Sequence, residues 1–207
     1  MKKSYRFTLV ELLAVMALIS ILSAIGFGVY SYAKNKSKES ASEALLGQIT
    51  AGLESFNAKH HRYPSSGGSF QPVKFTFGNS DGTLSEIDFG GETLELQSIS
   101  DSDPQAKKKR MKNELFESFA KAVDMQTIKN NLTPPDSNGV CELVDAWGGK
   151  IYYRSPGKFK TGSYDLISAG PDGGFGTGGA STPPNGDSDL SKFRDSGEKV
   201  CDDLFNF

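Results

Sequence analysis

The stretch that decides the fold is residues 12–33, LLAVMALISILSAIGFGVYSYA, which contains no charged side chain over 22 positions. At about 1.5 Å of rise per residue, a helix of this length extends roughly 33 Å, which is enough to cross the hydrocarbon core of a bilayer. Basic residues flank the run on both sides: Lys2, Lys3, Arg6, Lys34, Lys36 and Lys38. The sequence therefore predicts one membrane helix near the N-terminus and one soluble domain behind it.

The overall composition excludes several other classes of protein. A chain of 207 residues that is 37% hydrophobic and 23% charged suits one soluble domain with an appendage better than a polytopic membrane protein. The net charge of −2 gives no reason to expect nucleic-acid binding. Two cysteines are too few for a disulfide-dense scaffold or a four-cysteine zinc site. No arrangement of Ser, His, Asp or Cys typical of nucleophilic catalysis is visible, so we predict that the chain is not an enzyme.

The predicted helix continues beyond the uncharged run. Apolar residues recur three or four positions apart and form a narrow stripe on an otherwise polar helix. They are Ala41, Leu45, Ile49, Leu53 and Phe56. Because Pro64 cannot continue a helix, we expect one helix from Phe7 to about His61.

Three interpretations compete for the N-terminal segment. A secretory signal peptide would have a shorter apolar region, of about 7–15 residues. An ordinary signal anchor fits the length, but it leaves Glu11 unexplained, because a carboxylate at the edge of a membrane span is costly unless it has a function. The third interpretation rests on residues 2–13, KKSYRFTLVELL. They resemble the class III leader of type IV pilins and of the pseudopilins of type II secretion.

This resemblance implies specific processing. In that family a prepilin peptidase cuts just before the Phe and methylates the new amine, so the cut would fall between Arg6 and Phe7, with N-methylation of Phe7. The family prefers Gly where this chain has Arg6. Glu11 becomes the fifth residue of the mature chain, and the resemblance implies that it pairs with the N-terminal amine of a neighbouring subunit. A buried charge is tolerable only when it is paired.

A second resemblance lies far along the chain. Residues 145–153, DAWGGKIYY, and 164–173, YDLISAGPDG, resemble the C-terminal half of the major pseudopilin of type II secretion. Around them we predict three strands, at residues 140–144, 151–154 and 164–168, which form a small antiparallel meander.

The stretch between the two resembling regions has no counterpart in those pseudopilins. We interpret it as an insertion at about residues 65–112. Alternating patterns predict strands at residues 73–77 and 93–97. After Asp103 and Pro104, apolar residues at helical spacing predict a helix that faces the core. These residues are Met111, Leu115, Phe119 and Val123.

The expected fold class is therefore α+β, a long N-terminal helix packed against a small antiparallel sheet in the manner of type IV pilins. The predicted parts are a leader (1–6), a transmembrane and filament-core helix (7–33), the periplasmic half of that helix (34–64) and a globular α+β domain (65–207).

The resemblance implies a structural filament subunit, anchored by one pass in the inner membrane with its C-terminal domain in the periplasm. The implied partners are further copies of the chain, minor pseudopilins, the inner-membrane secretion platform and the prepilin peptidase. The alternatives are a type IV pilin for adhesion, motility or DNA uptake, and a membrane-anchored binding protein that does not polymerise.

Two further sites are predicted in the globular domain. The glycine-rich loop at residues 170–189 carries Asp172, Asp187 and Asp189, which are oxygen ligands that Ca²⁺ accepts on a chain able to wrap. The resembling pseudopilins bind calcium at this place, and the alternative is an acidic loop without an ion. Cys141 and Cys201 would form a disulfide if the domain lies outside the inner membrane, and otherwise they are two unpaired buried cysteines.

Overall fold

The computed structural model describes residues 8–78, 82–100, 103–159, 162–175, 183 and 204–205; for residues 24–28 and 204–205 it describes the backbone alone. The chain divides into two compact units, Met1–Lys38 and Glu39–Phe207. We call the second of these the globular unit.

Helix α1 (Leu9–His60) has 52 residues, close to the predicted range. In the first unit its large apolar side chains are exposed, from Leu9 at 77% to Tyr32 at 68%. Among the described residues, no helix is both long enough and apolar enough to cross a membrane. The predicted membrane-spanning half of α1 is thus unconfirmed.

In the globular unit, the C-terminal half of α1 forms the centre of the main hydrophobic core. Leu45, Ile49, Leu53 and Phe56 are fully buried, which confirms the predicted stripe at these four positions. The prediction is wrong at Ala41, which is exposed, while its neighbour Ser42 is buried. The buried stripe packs with apolar residues of both sheets and of the shorter helices, so the helix and sheets share one core.

Eight short strands form two antiparallel sheets in the described part of the chain. In chain order they are β1 (Gln71–Pro72), β2 (Lys74–Phe77), β3 (Leu84–Asp88), β4 (Thr93–Glu95), β5 (Val140–Glu142), β6 (Ile151–Arg154), β7 (Asp165–Ser168) and β8 (Leu204–Phe205). The strand order is β1-β6-β7-β8 in the first sheet and β4-β3-β2-β5 in the second. In the second sheet, Phe75 pairs with Ile87 and Ile87 with Leu94, so that one face carries buried apolar side chains into the core.

The predicted meander of residues 140–144, 151–154 and 164–168 is wrong in one respect. Strands β6 and β7 pair as expected, but β5 pairs along its length with β2 in the other sheet. The predicted first strand meets β6 through the isolated antiparallel bridge Val144–Lys150. Val73, between β1 and β2, is hydrogen-bonded to both segments next to that bridge. Leu143 N donates to Val73 O (2.9 Å), Val73 N donates to Ile151 O (3.1 Å), and Ile151 N donates to Leu143 O (3.0 Å). The two sheets meet at this ring of three hydrogen bonds.

Two shorter helices follow the second sheet's hairpins, α2 (Ala106–Ala120) and α3 (Met125–Lys129). The prediction of α2 is confirmed, and Phe119 is fully buried. Met111 was expected in the core but is 61% exposed. A step of four residues turns about 40° past a full helical turn, so two steps carry Met111 to the edge of the buried face.

Candidate functional site

The N-terminus of α1 is capped by Thr8 and Glu11. Glu11 Oε2 accepts hydrogen bonds from Thr8 N (2.8 Å) and Thr8 Oγ1 (2.9 Å), and Glu11 N donates to Thr8 Oγ1 (3.3 Å). This is a capping box, in which the first backbone N–H groups of a helix find side-chain acceptors. Glu11, predicted to act in assembly, therefore already has a partner within its own chain. Arg6 and Phe7, the predicted cleavage and methylation residues, lie outside the described residues.

The turn after β5 is organised by the buried carboxylate of Asp145. Its Oδ1 accepts from Trp147 N and Gly149 N, both at 2.8 Å, and its Oδ2 accepts from Ser168 Oγ at 2.5 Å. A Cβ at Gly149 would lie 2.9 Å from Asp145 Oδ2, so a side chain there would press on this carboxylate. The bond from Ser168 therefore holds the turn against the end of β7, where the glycine-rich loop begins.

The same turn is also fastened to α1. Ala146 N donates to Ser42 Oγ at 3.0 Å, across 104 residues of sequence. Ser42 is buried although its neighbours Ala41 and Glu43 are exposed. The helix, the Asp145 turn and the end of β7 are thus joined through polar side chains beside the apolar core.

The glycine-rich loop begins with a short 3₁₀ turn at Gly170–Asp172. Asp172 is exposed, and its Oδ1 accepts from Gly174 N at 2.8 Å. Phe175 then packs edge-on against Tyr152, with ring centroids 5.4 Å apart. Asp187 and Asp189 lie outside the described residues, so the calcium site stays a prediction. Within the described ranges, no group of three His, Cys, Asp or Glu side chains could hold a metal ion.

Cys141 is buried in β5, and burial, with a smaller contribution from Asp136, raises the pKa of its thiol. No disulfide joins it to another described residue. Its predicted partner, Cys201, lies outside the described residues, so the disulfide stays a prediction.

Comparison with known proteins identifies the region around the Asp145 turn. Residues 142–183 match the family model described as type II secretion system (T2SS), protein G. This segment is therefore similar to the protein G family. The match begins in β5, contains the Asp145 turn, β6 and β7, and ends in the glycine-rich loop. It confirms the predicted likeness to a pseudopilin of type II secretion, a structural rather than an enzymatic family. Searches of curated proteins and of solved structures found no match.

Three residues of these sites were missed in the sequence. Thr8 had a readable signal, since Thr followed three positions later by Glu is the spacing of a capping box. Ser42 and Ser168 had none, because each reaches its partner in the Asp145 turn only through the tertiary fold. The structure adds all three to the candidate residues.

Proposed function

We propose that this chain is a structural subunit of a type II secretion pseudopilus. It polymerises through its N-terminal helix and supports export of folded proteins across the outer membrane. The observation that carries the proposal is the protein G match at residues 142–183. The leader-like residues 2–13 are shared with type IV pilins, but the match to a secretion family favours export over adhesion or motility.

The proposal includes a single-pass anchor in the inner membrane, with the globular unit in the periplasm. Two features support it: the uncharged run at residues 12–33 and the exposure of the apolar side chains that α1 carries there. A row of exposed Leu, Ile and Val side chains is unfavourable in water, so a bilayer or neighbouring subunits must cover it. The proposed partners are further copies of the chain, minor pseudopilins, the inner-membrane platform and the prepilin peptidase.

In this proposal Glu11 changes partners during assembly. Before assembly its carboxylate accepts from Thr8 N and Oγ1, so that it is hydrogen-bonded within its own chain. In the filament it would pair with the methylated N-terminal amine of a neighbour, after cleavage between Arg6 and Phe7. The charge pair is worth more in an apolar filament core than at an exposed helix end, because the local dielectric is lower.

Replacing Glu11 tests this proposal. We expect Glu11→Ala to stay in the membrane, since removing a carboxylate favours insertion, but to lose at least tenfold in filament yield. Glu11→Gln should lose nearly as much, because its amide oxygen can still accept from Thr8 but carries no charge. The measurement is the amount of the chain in filaments sheared from cells, compared with the amount in the membrane fraction.

The control is Thr8→Val, which removes the hydroxyl of the capping box and keeps the carboxylate. It should cost about 1 kcal/mol at the helix end and leave filament yield within a few-fold of the unmodified chain. Wild-type assembly of Glu11→Gln would contradict the charge pairing. Mass spectrometry of the filaments should find N-methylated Phe7, and an intact Met1 would contradict the cleavage.

We further propose that the glycine-rich loop binds Ca²⁺ through Asp172, Asp187 and Asp189. The supporting observation is that Asp172 is exposed in a turn that Ser168 holds at its start, while Phe175 packs on Tyr152 just after it, so a ligand there is accessible. The periplasm equilibrates with external calcium, so an affinity in the millimolar range would suffice.

Thermal unfolding of residues 34–207 with calcium or with chelator tests the ion site. Calcium at a hundredfold excess over Kd should stabilise the folded state by about 2.7 kcal/mol, because only the folded loop binds it. Asp187→Ala and Asp189→Ala should each abolish the difference. The control Glu117→Ala, which changes a side chain outside the loop, should keep the difference between calcium and chelator. Both oxidised and reduced samples are needed, because a Cys141–Cys201 bond would hold the loop by itself. If calcium leaves the unfolding temperature unchanged in both the oxidised and the reduced sample, the proposed ion site is wrong.

A further inference from the structure

A cavity of about 780 Å³ lies between the β2–β3 hairpin, α3 and the loop that precedes β5. The apolar part of its lining comes from Phe77, Leu132, Pro134, Pro135 and Cys141. A volume of roughly 300–1,000 Å³ with mainly apolar walls and a few polar groups is typical of sites for small molecules. Every lining residue lies outside residues 142–183, so the likeness to protein G does not account for this cavity.

A lysine ammonium lines one part of the cavity. Lys129 of α3 donates from Nζ to Gly82 O at 3.0 Å, and the same nitrogen lies 5.2 Å from the centroid of the Phe77 ring. These two contacts hold the ammonium at the β2–β3 hairpin. None of the ion pairs between described residues includes Lys129. Because an ammonium has three N–H donors, two of them are available to a ligand.

A carboxylate, that of Asp136, also lines the cavity, but the loop itself uses it. Its Oδ1 accepts from Val140 N at 2.9 Å and from Asn138 N at 2.8 Å. These two backbone hydrogen bonds lower the pKa of Asp136, so the group is charged at neutral pH. Asp136 therefore repels an anion from its part of the cavity.

The two charges lie toward different ends of the cavity. Burial raises the pKa of the Cys141 thiol and the charge of Asp136 adds to this, so Asp136 lies near Cys141. Cys141 pairs with Phe75, two residues before Phe77 in β2. Two residues of strand extend about 6.8 Å, so apolar wall separates the Lys129 end from the Cys141 end. An anion is thus favoured at the Lys129 end alone.

The loop before β5 offers little to a peptide backbone. Pro134 and Pro135 have no N–H group. Three further N–H groups of this loop already have acceptors within the chain: Thr133 N donates to Glu142 O (2.9 Å), Asp136 N to Val140 O (2.9 Å) and Gly139 N to Asp136 O (3.0 Å). A peptide that binds by strand addition needs free backbone groups. The walls therefore favour a molecule that is recognised by its apolar body and its charge.

We propose that this cavity, which we call the Lys129 pocket, binds a medium-chain aliphatic monocarboxylate. Its carboxylate accepts from Lys129 Nζ, and its chain lies along Phe77 and Leu132 toward Cys141. A single ammonium matches a single negative charge, whereas a phosphate group carries about −1.5 to −2 and has three strong acceptor oxygens. This binding site goes beyond the proposed function and does not depend on polymerisation.

Photoaffinity labelling of the full chain in inner-membrane vesicles tests the pocket. The probe is octanoate with a diazirine near the far end of its chain; illumination releases N₂ and leaves a carbene that inserts into a neighbouring bond. We expect label on peptides that contain Leu132 or Cys141, and excess octanoate should displace it. Octan-1-ol has the same chain without the charge, and it should compete at least tenfold less well. Equal competition by the two would overturn the role of the carboxylate.

Substitution of the cation provides the second readout. Lys129→Met keeps an unbranched side chain without the charge and should lower labelling of the pocket at least tenfold. The matched control is Lys108→Met, which removes an exposed charge from α2 outside this cavity and should leave labelling unchanged. Lys129→Glu should lose the octanoate probe and instead take an octylamine probe of the same design. A merely structural role of Lys129 would not produce this exchange.

Other occupants of the cavity give different results. Undiminished labelling of Lys129→Met would overturn the proposal. Labelling of the pocket only in a Cys201→Ser variant would show that the chain's own C-terminal segment fills the cavity, and would overturn it as well. The proposed function and this site fail separately, because the labelling is measured on the membrane-bound chain whether or not it forms filaments.

Discussion

Asp165→Ala is expected to destabilise the globular unit by about 3–5 kcal/mol, a large part of the stability of a domain of this size. Arg154 and Asp165 are both fully buried and paired, with Arg154 Nε 2.8 Å from Asp165 Oδ2. The guanidinium lies over the rings of both Phe70 and Phe159, at 4.1 and 4.7 Å from their centroids. Without the carboxylate, a buried cation loses its counter-charge and the backbone N–H of Lys158 loses its acceptor. Urea unfolding of residues 34–207 measures the loss.

Two comparisons make the result specific to the buried charge. Glu117→Ala removes the exposed partner of Lys121 and should change stability by less than about 0.5 kcal/mol. The double change Arg154→Met/Asp165→Leu replaces the pair by apolar side chains and should recover most of the lost stability. A loss below about 1 kcal/mol for Asp165→Ala would show that water reaches the pair in solution.

Gly52→Ala is expected to destabilise the same unit by about 1–3 kcal/mol, although Ala is the better helix former. Gly52 lies where α1 touches α2. A Cβ there would lie 2.6 Å from Phe119 Cε2 and 2.6 Å from Val123 Cγ2. Because the ring of Phe119 is fully buried, it cannot move aside without displacing the core. The midpoint of thermal unfolding should fall accordingly.

Gly47 is the matched control in the same helix. A Cβ at this position would meet nothing within 4 Å, so Gly47→Ala should raise stability by up to about 1 kcal/mol through helix propensity alone. Opposite signs for the two substitutions would confirm that α2 packs against the backbone of α1 at Gly52. Stabilisation by both would contradict that packing.

The sequence was a good guide wherever local periodicity decides the structure. The stripe of Leu45, Ile49, Leu53 and Phe56 has helical spacing, and all four are buried as expected. Strands β6 and β7 are short runs between turn residues, and they pair as predicted. It failed at β5, because Val140–Glu142 pair with residues 74–76 of β2, more than sixty positions earlier, and no local pattern predicts that pairing.

The residues of the candidate sites also differ in whether the sequence could predict them. Glu11 and the turn at residues 145–149 could be singled out by residue type and by resemblance, and the match at residues 142–183 confirms the second region. The hydrogen bonds that join Ser42 and Ser168 to this turn could not be predicted, since they arise only when α1 and β7 are already folded around it. The ion site and the disulfide depend on residues beyond the described ranges and remain predictions.

The ring of hydrogen bonds at Val73 decides whether the matched segment could fold without the rest of the chain. Residues 142–183 cannot complete their own backbone hydrogen bonding, because Leu143 N donates to Val73 O and Ile151 O accepts from Val73 N. A buried backbone group left without its partner costs about 1–3 kcal/mol. The chain around Val73, which lies within the predicted insertion, is therefore hydrogen-bonded into the same structure as residues 142–183. Deleting it would leave these backbone groups unpaired, so the two parts fold as one unit.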